Sequence, residues 1–147
     1  MGESPRHRST KPVESISRLR RFLLLELPGW LILGVSVAYT TSAGGGSVTV
    51  FFQLTLLSAA LAWLFGGRVQ SLTLGSLLFG WAAGTMAWFN LLAMASIGLF
   101  LLPVSAFVLV VLVLLLSARN LRCWAAAAGG IALAIAAQLV FLGFFAR

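Results

Sequence analysis

From Leu27 to Gly67, and again from Val69 to Ala118, the chain carries no Asp, Glu, Lys or Arg. Charge-free stretches of that length leave nothing from which to build a water-facing surface. Apolar runs of about 20 residues recur within them, each long enough as a helix to cross a hydrocarbon core of ~30 Å. Composition agrees: 61% hydrophobic and 9% charged residues, with a mean hydropathy of +1.05. Soluble domains carry roughly 45–50% apolar and 25% charged residues. The runs do not alternate apolar and polar positions as the strands of a transmembrane barrel do. The expected fold is all-α, a polytopic transmembrane helical bundle.

Five spans are expected. The first covers about 22–41 and ends at "TSAGGGS"; the second covers about 48–65 and ends at "GGRVQS". Residues 71–118 are too long for one crossing and divide at "MASIG", where Ser96 can start a helix beside Gly98. That gives spans at about 71–94 and 98–117. Opening the fourth span at Pro103 instead would leave it about 15 residues, or ~22 Å, which is short for a crossing. Pro103 therefore falls in the first turns of span four, where proline is tolerated or kinks the helix. The fifth span covers about 123–145.

The bundle, residues 22–147, follows a basic tail, residues 1–21. Its opening "MGESPRHRSTKP" is polar and proline-punctuated, a composition that reads as disordered. From Val13 onward, Ile16, Leu19, Leu23 and Leu27 share a helix face while Arg18 and Arg21 lie on the other. This predicts a short interfacial helix feeding the first span. A cleaved signal peptide has an apolar core of about 7–15 residues. The first run is longer and contains Glu26 and Pro28, so it reads as a retained span.

The net charge of +7 does not imply nucleic acid. Six of the ten basic residues precede residue 22; the others, Arg68, Arg119, Arg122 and Arg147, flank apolar runs. That is the distribution set by membrane topology and anionic headgroups. With a cytoplasmic N-terminus, Arg68, Arg119 and Arg122 fall inside, and the two turns without basic residues fall outside. Only Arg147 is left outside, at the C-terminus. The expected location is the plasma membrane, with anionic headgroups at the inner face.

Glu26 is the candidate for chemistry. It lies roughly 6 Å inside the inner edge of the first span at 1.5 Å per residue. Spacing of four aligns it with Trp30, Gly34 and Ala38, a small-residue face expected to meet other helices. No basic residue stands at i±3 or i±4, so Arg68, Arg119 and Arg122 are the expected partners across the bundle. A second route to the same end has Pro28 opening the helix proper, with Glu26 favoured at its N-terminus. Either way Glu26 reads as a structural carboxylate at the inner boundary, with coupling or gating as the alternative.

The amides Gln53, Asn90 and Gln138 fall in the outer halves of their spans. They are expected to bond between helices; the alternative is a polar pocket open to the outside. Small residues recur at spacing four: Ser76, Gly80 and Gly84 in span three; Ala126, Gly130 and Ala134 in span five; Ser58, Ala62 and Gly66 in span two. Such stripes let helix backbones approach closely.

Catalytic patterns are missing. His7 and Cys123 are single, no Asp occurs, and no P-loop, HExxH, CxxC or Ser/His/Asp set is present. No cofactor is implied, and no ionisable residue falls near the bilayer midplane, where ion-coupled transporters keep theirs. The sequence therefore predicts a non-catalytic membrane subunit or scaffold packing through small-residue helix faces, in a homo-oligomer or a larger membrane complex. The alternative is a small oligomeric transporter or channel using Glu26 or the outer amides.

Overall fold

A computed structural model describes residues 17–42, 46–93 and 98–145. Residues 1–16, 43–45, 94–97 and 146–147 lie outside the described residues, with the expectations attached to them. Within them the chain is helical, with no strand. A helix described from Ser17 onward passes through a π turn, Phe22–Glu26, into α1, Leu27–Ser42. Then follow α2, Ser47–Gly66; α3, Leu72–Ala93; α4, Gly98–Ser117; and α5, Leu121–Phe145. Four helices are long and apolar enough to cross a bilayer; α4 contributes a shorter apolar stretch, Leu101–Ser117.

Helix is what an apolar environment demands, because every backbone polar group must be satisfied within the segment. Several hydroxyls follow the same rule, although Thr85 Oγ1 is buried without a partner among the described residues. Thr40, Ser76 and Ser105 each donate to the carbonyl four residues back, at 2.7, 2.8 and 3.1 Å. At one end of the bundle the turns close on capping side chains. Asn120 Oδ1 accepts from the Cys123 N–H at 3.2 Å to start α5, and Ser71 Oγ accepts from Leu74 N–H at 3.4 Å at the start of α3.

The segment read as interfacial and the first span share one helix over the described residues. No break separates an interfacial segment from the first span: the helix is continuous from Ser17 to Ser42. Its Ser17–Thr41 part has 25 residues, about 37 Å at 1.5 Å per residue, more than the ~30 Å core.

Helices α1, α2, α3 and α4 form a ring in which each packs on the next and α4 returns to α1. The ring interior is filled by Ile32, Leu56, Trp63, Phe79, Met86 and Val108, all essentially buried. At the end opposite the arginines, Phe52 and Phe89 stack edge to face at 4.9 Å, with Tyr39 against both at 6.2 and 6.1 Å. Helix α5 docks outside this ring, on α3, in the most extensive helix pair of the molecule.

The α3–α5 seam is backbone against backbone. A Cβ on Gly80 would overlap the carbonyl of Ala127, and one on Gly130 would overlap that of Leu77. One on Gly84 would stand 2.8 Å from Ile131 Cα and 3.2 Å from Ala134 Cβ. Ser76, one turn earlier, is fully buried but faces the α4–α5 turn instead of the seam. Two further close approaches involve glycines that no stripe had marked. Gly29 receives Leu64 of α2, and Gly75 abuts the Gly66 carbonyl, where an added Cβ would be at 2.8 Å.

The small-residue face of α1 behaves differently from what its spacing predicts. Gly34 has nothing within 4 Å of an added Cβ, and Ala38 and Glu26 are exposed. The buried face of α1 carries Pro28, Gly29, Ile32 and Ser36 instead. Gly34 follows Ile32 by two residues, about 200° around a helix of 3.6 residues per turn. Once Gly29 is committed to Leu64, the Gly34 face must point outward.

Candidate functional site

The π turn sets the position of Glu26. Pro28 has no N–H to give and its ring would strike the carbonyl four residues back, so a regular helix cannot run through it unchanged. One extra residue in the turn accommodates it: the Leu27 N–H bonds to the Phe22 carbonyl, five residues back. Arg21 and Leu27, on either side, both keep right-handed helical backbone angles. Pro28 therefore does not open a helix, and Glu26 does not sit before a helix N-terminus. This removes the capping role expected for it.

The same turn supplies a neighbour that regular spacing hides. Glu26 lines a cavity of about 210 Å³ together with Arg21, Leu25, Leu64, Gly67 and Arg68. Arg21 is five residues before Glu26, which a π turn brings to the same side. No ion pair joins them among the described residues; the carboxylate lines one pocket with two guanidinium groups. Of the three arginines expected across the bundle, only Arg68 is placed there. Arg119 turns elsewhere: its Nη1 donates to Ser76 Oγ at 2.9 Å and to the Leu72 carbonyl at 3.4 Å, and its guanidinium lies 5.8 Å from the Phe79 ring centre. Arg122 is exposed on the first turn of α5.

The three amides do not gather. Asn90 Nδ2 donates to Ser105 Oγ of α4 and to the Met86 carbonyl, the latter at 3.1 Å, and its Oδ1 is buried without a partner among the described residues. Gln53 is half-buried and makes no hydrogen bond among the described residues. Gln138, only 6% exposed, accepts from Thr55 Oγ1 at 3.5 Å across the α2–α5 contact.

Gln138 also lines a groove of about 410 Å³ between α2, α3 and α5, with Thr55, Ser58, Trp81, Phe51 and Phe141. Ser58 Oγ donates to the Thr55 carbonyl at 2.8 Å and accepts from Trp81 Nε1 at 3.5 Å. The Gln138 NH₂ has no acceptor among the described residues. The groove is thus a mostly aromatic and aliphatic slot with one amide donor. Thr55, Trp81 and Ser105 were not singled out from the sequence. The usable signal was depth: each lies on a neighbouring helix at the height of an amide or hydroxyl it meets.

Among the described residues no three His, Cys, Asp or Glu come together as metal ligands. No protein-family model, curated protein or solved structure matches the chain. The apolar helices support a membrane protein, and a finer reading rests on the geometry above.

Proposed function

We propose that this protein is a non-catalytic, multi-pass subunit of the plasma membrane that holds its partner, a second copy or another membrane protein, through the outer faces of α1 and α5. The observation that supports this most is the contrast between the inside and outside of the helix ring. Inside, Trp63 against Phe79 and the Tyr39, Phe52 and Phe89 cluster fill the axis, with no file of charged side chains buried along it among the described residues. Ion pathways through membrane helices are marked by such side chains. Outside, α5 keeps Gly129, Leu133 and Gly143 exposed, and α1 keeps Trp30, Gly34 and Val37 exposed.

In this reading the arginine-bearing end is cytoplasmic and the C-terminus outside. Reporter fusions near Gly45 and Ile97 then read outside, and those near Arg68 and Asn120 inside. A cytoplasmic C-terminus would overturn the topology. The partner claim is tested by native mass spectrometry of the full chain in mild detergent, where an assembly larger than one chain is expected. A strictly single chain that carries solute flux in liposomes would replace it with the transporter reading. That second reading is favoured by one feature, the Gln138 groove, which offers an apolar slot and a single donor to a ligand.

A further inference from the structure

Among the described residues, the arginine-bearing end carries Arg20, Arg21, Arg68, Arg119 and Arg122 against a single acid, Glu26. Arg20 and Arg21 from the first turns of the helix, and Arg119 from the α4–α5 turn, line one cleft of about 700 Å³. Its other walls are leucines of three helices, among them Leu24, Leu72 and Leu114. A second cleft of about 360 Å³ lies beside it, sharing Arg20, Leu24 and Leu114 and adding Leu19 and Leu23. No acidic side chain among the described residues lines either one. Glu26, the one acid among the described residues, belongs to the neighbouring cavity with Arg21 and Arg68. The groups that hold Arg119, Ser76 and the Phe79 ring, are neutral. They fix its position without cancelling its charge.

We propose that this double cleft binds one anionic glycerophospholipid, with its phosphate between Arg20 and Arg119 and one acyl chain along each leucine-lined groove. Charge complementarity selects the headgroup: the Arg20 and Arg119 side chains line one cleft with no carboxylate beside them among the described residues, the arrangement that basic pockets between membrane helices use for lipid phosphates. The leucine walls select a lipid over free phosphate, which would leave them uncovered. The same positive field disfavours a choline headgroup, whose trimethylammonium would have to enter it. Two grooves on either side of Arg20 and Leu24 match two chains descending from one phosphate. The site requires only that this end of the bundle meet a leaflet containing such lipids, and it is independent of what α1 and α5 hold.

The test uses the full chain in dodecyl maltoside, titrated with phosphatidylglycerol, phosphatidylcholine or inorganic phosphate, with bound lipid counted by native mass spectrometry. One phosphatidylglycerol should bind, at least about tenfold tighter than phosphatidylcholine. Arg20→Gln should weaken it about fivefold, the effect of one basic residue at a membrane surface. Arg122→Gln removes the same charge outside both clefts and should change affinity less than about twofold. Leu24→Trp, which fills the wall common to both grooves while keeping every charge, should weaken binding at least as much as Arg20→Gln. If Leu24→Trp fails to fold, Leu23→Trp on the exposed wall of the smaller groove replaces it. Equal binding of the two lipids would overturn the proposal, as would an Arg122→Gln loss equal to that of Arg20→Gln. Indifference to the tryptophan variant, or displacement of the lipid by inorganic phosphate, would reduce the site to a surface for phosphate and overturn it equally.

Discussion

Two stripes of small residues with the same spacing end in opposite surroundings. On α3, Gly80 and Gly84 lie against the backbone of α5; on α1, Gly34 and Ala38 face outward with open space beside Gly34. Over half of the apolar stretch of α3 is buried, 56%, against 22% for that of the first helix. Spacing four permits close approach but does not create it. A seam forms where the partner is small at matching heights, as α5 is at Ala127, Gly130 and Ala134. The first helix met no such partner within the chain, because Gly29 on its other side accepts Leu64 of α2. Its charge points the same way: outward placement lets Glu26 reach the boundary beside Arg21 and Arg68 instead of entering a dry bundle.

The comparison breaks most sharply at Gly80. Gly80→Leu should cost about 3 kcal/mol or more, at the top of the range for overpacking, because the obstacle is the Ala127 backbone rather than a movable side chain. Thermal melting of the full chain in detergent measures it, and Gly84→Leu should follow the same course. Two stable variants would mean that α3 and α5 can separate without loss, and the seam would be no different from the open face.

Asn90→Leu probes an attachment made by a polar bond instead of by shape. Losing the bond to Ser105 should cost about 0.6 kcal/mol, with ~1.7 as the upper end for hydrogen bonds within membranes. A double-mutant cycle with Ser105→Ala isolates that term. Zero coupling would show that α4 is held on α3 by packing alone.

Glu26→Gln comes next, at no more than about 0.5 kcal/mol, the usual range for an exposed substitution. An amide keeps the shape and remains at the solvated boundary. A stable Glu26→Gln protein that had lost a pH-dependent flux in liposomes would make the carboxylate a coupling site. Smallest of all is Gly34→Leu, which should leave the melting of a single chain unchanged. A fall in assembly size by native mass spectrometry would show that a partner covers this face, sharpening the contrast; unfolding comparable to Gly80→Leu would erase it.

The bilayer's own constraints made much of this protein legible as sequence. Lipid admits only structures that satisfy every backbone group internally, so charge-free runs of span length had to become helices, and the arginines at their edges marked one end of the bundle. The turn at Arg68 and the pair Arg119 and Arg122 were placed by the same logic. The facing of each helix was not legible. In a soluble helix the apolar stripe marks the core; here lipid and core are equally apolar, so α4 reads alike all round and gives no sign of which side meets α3. Small-residue spacing narrowed the choice on α3 and α5 and misdirected it on α1, because it states what one helix permits and says nothing of its partner. The π turn before Pro28, the meeting of Arg21 with Glu26, and the rotation of Arg119 onto Ser76 and Phe79 were decided by tertiary structure. Each depends on residues far apart in the chain, or on a helical register that regular periodicity does not contain.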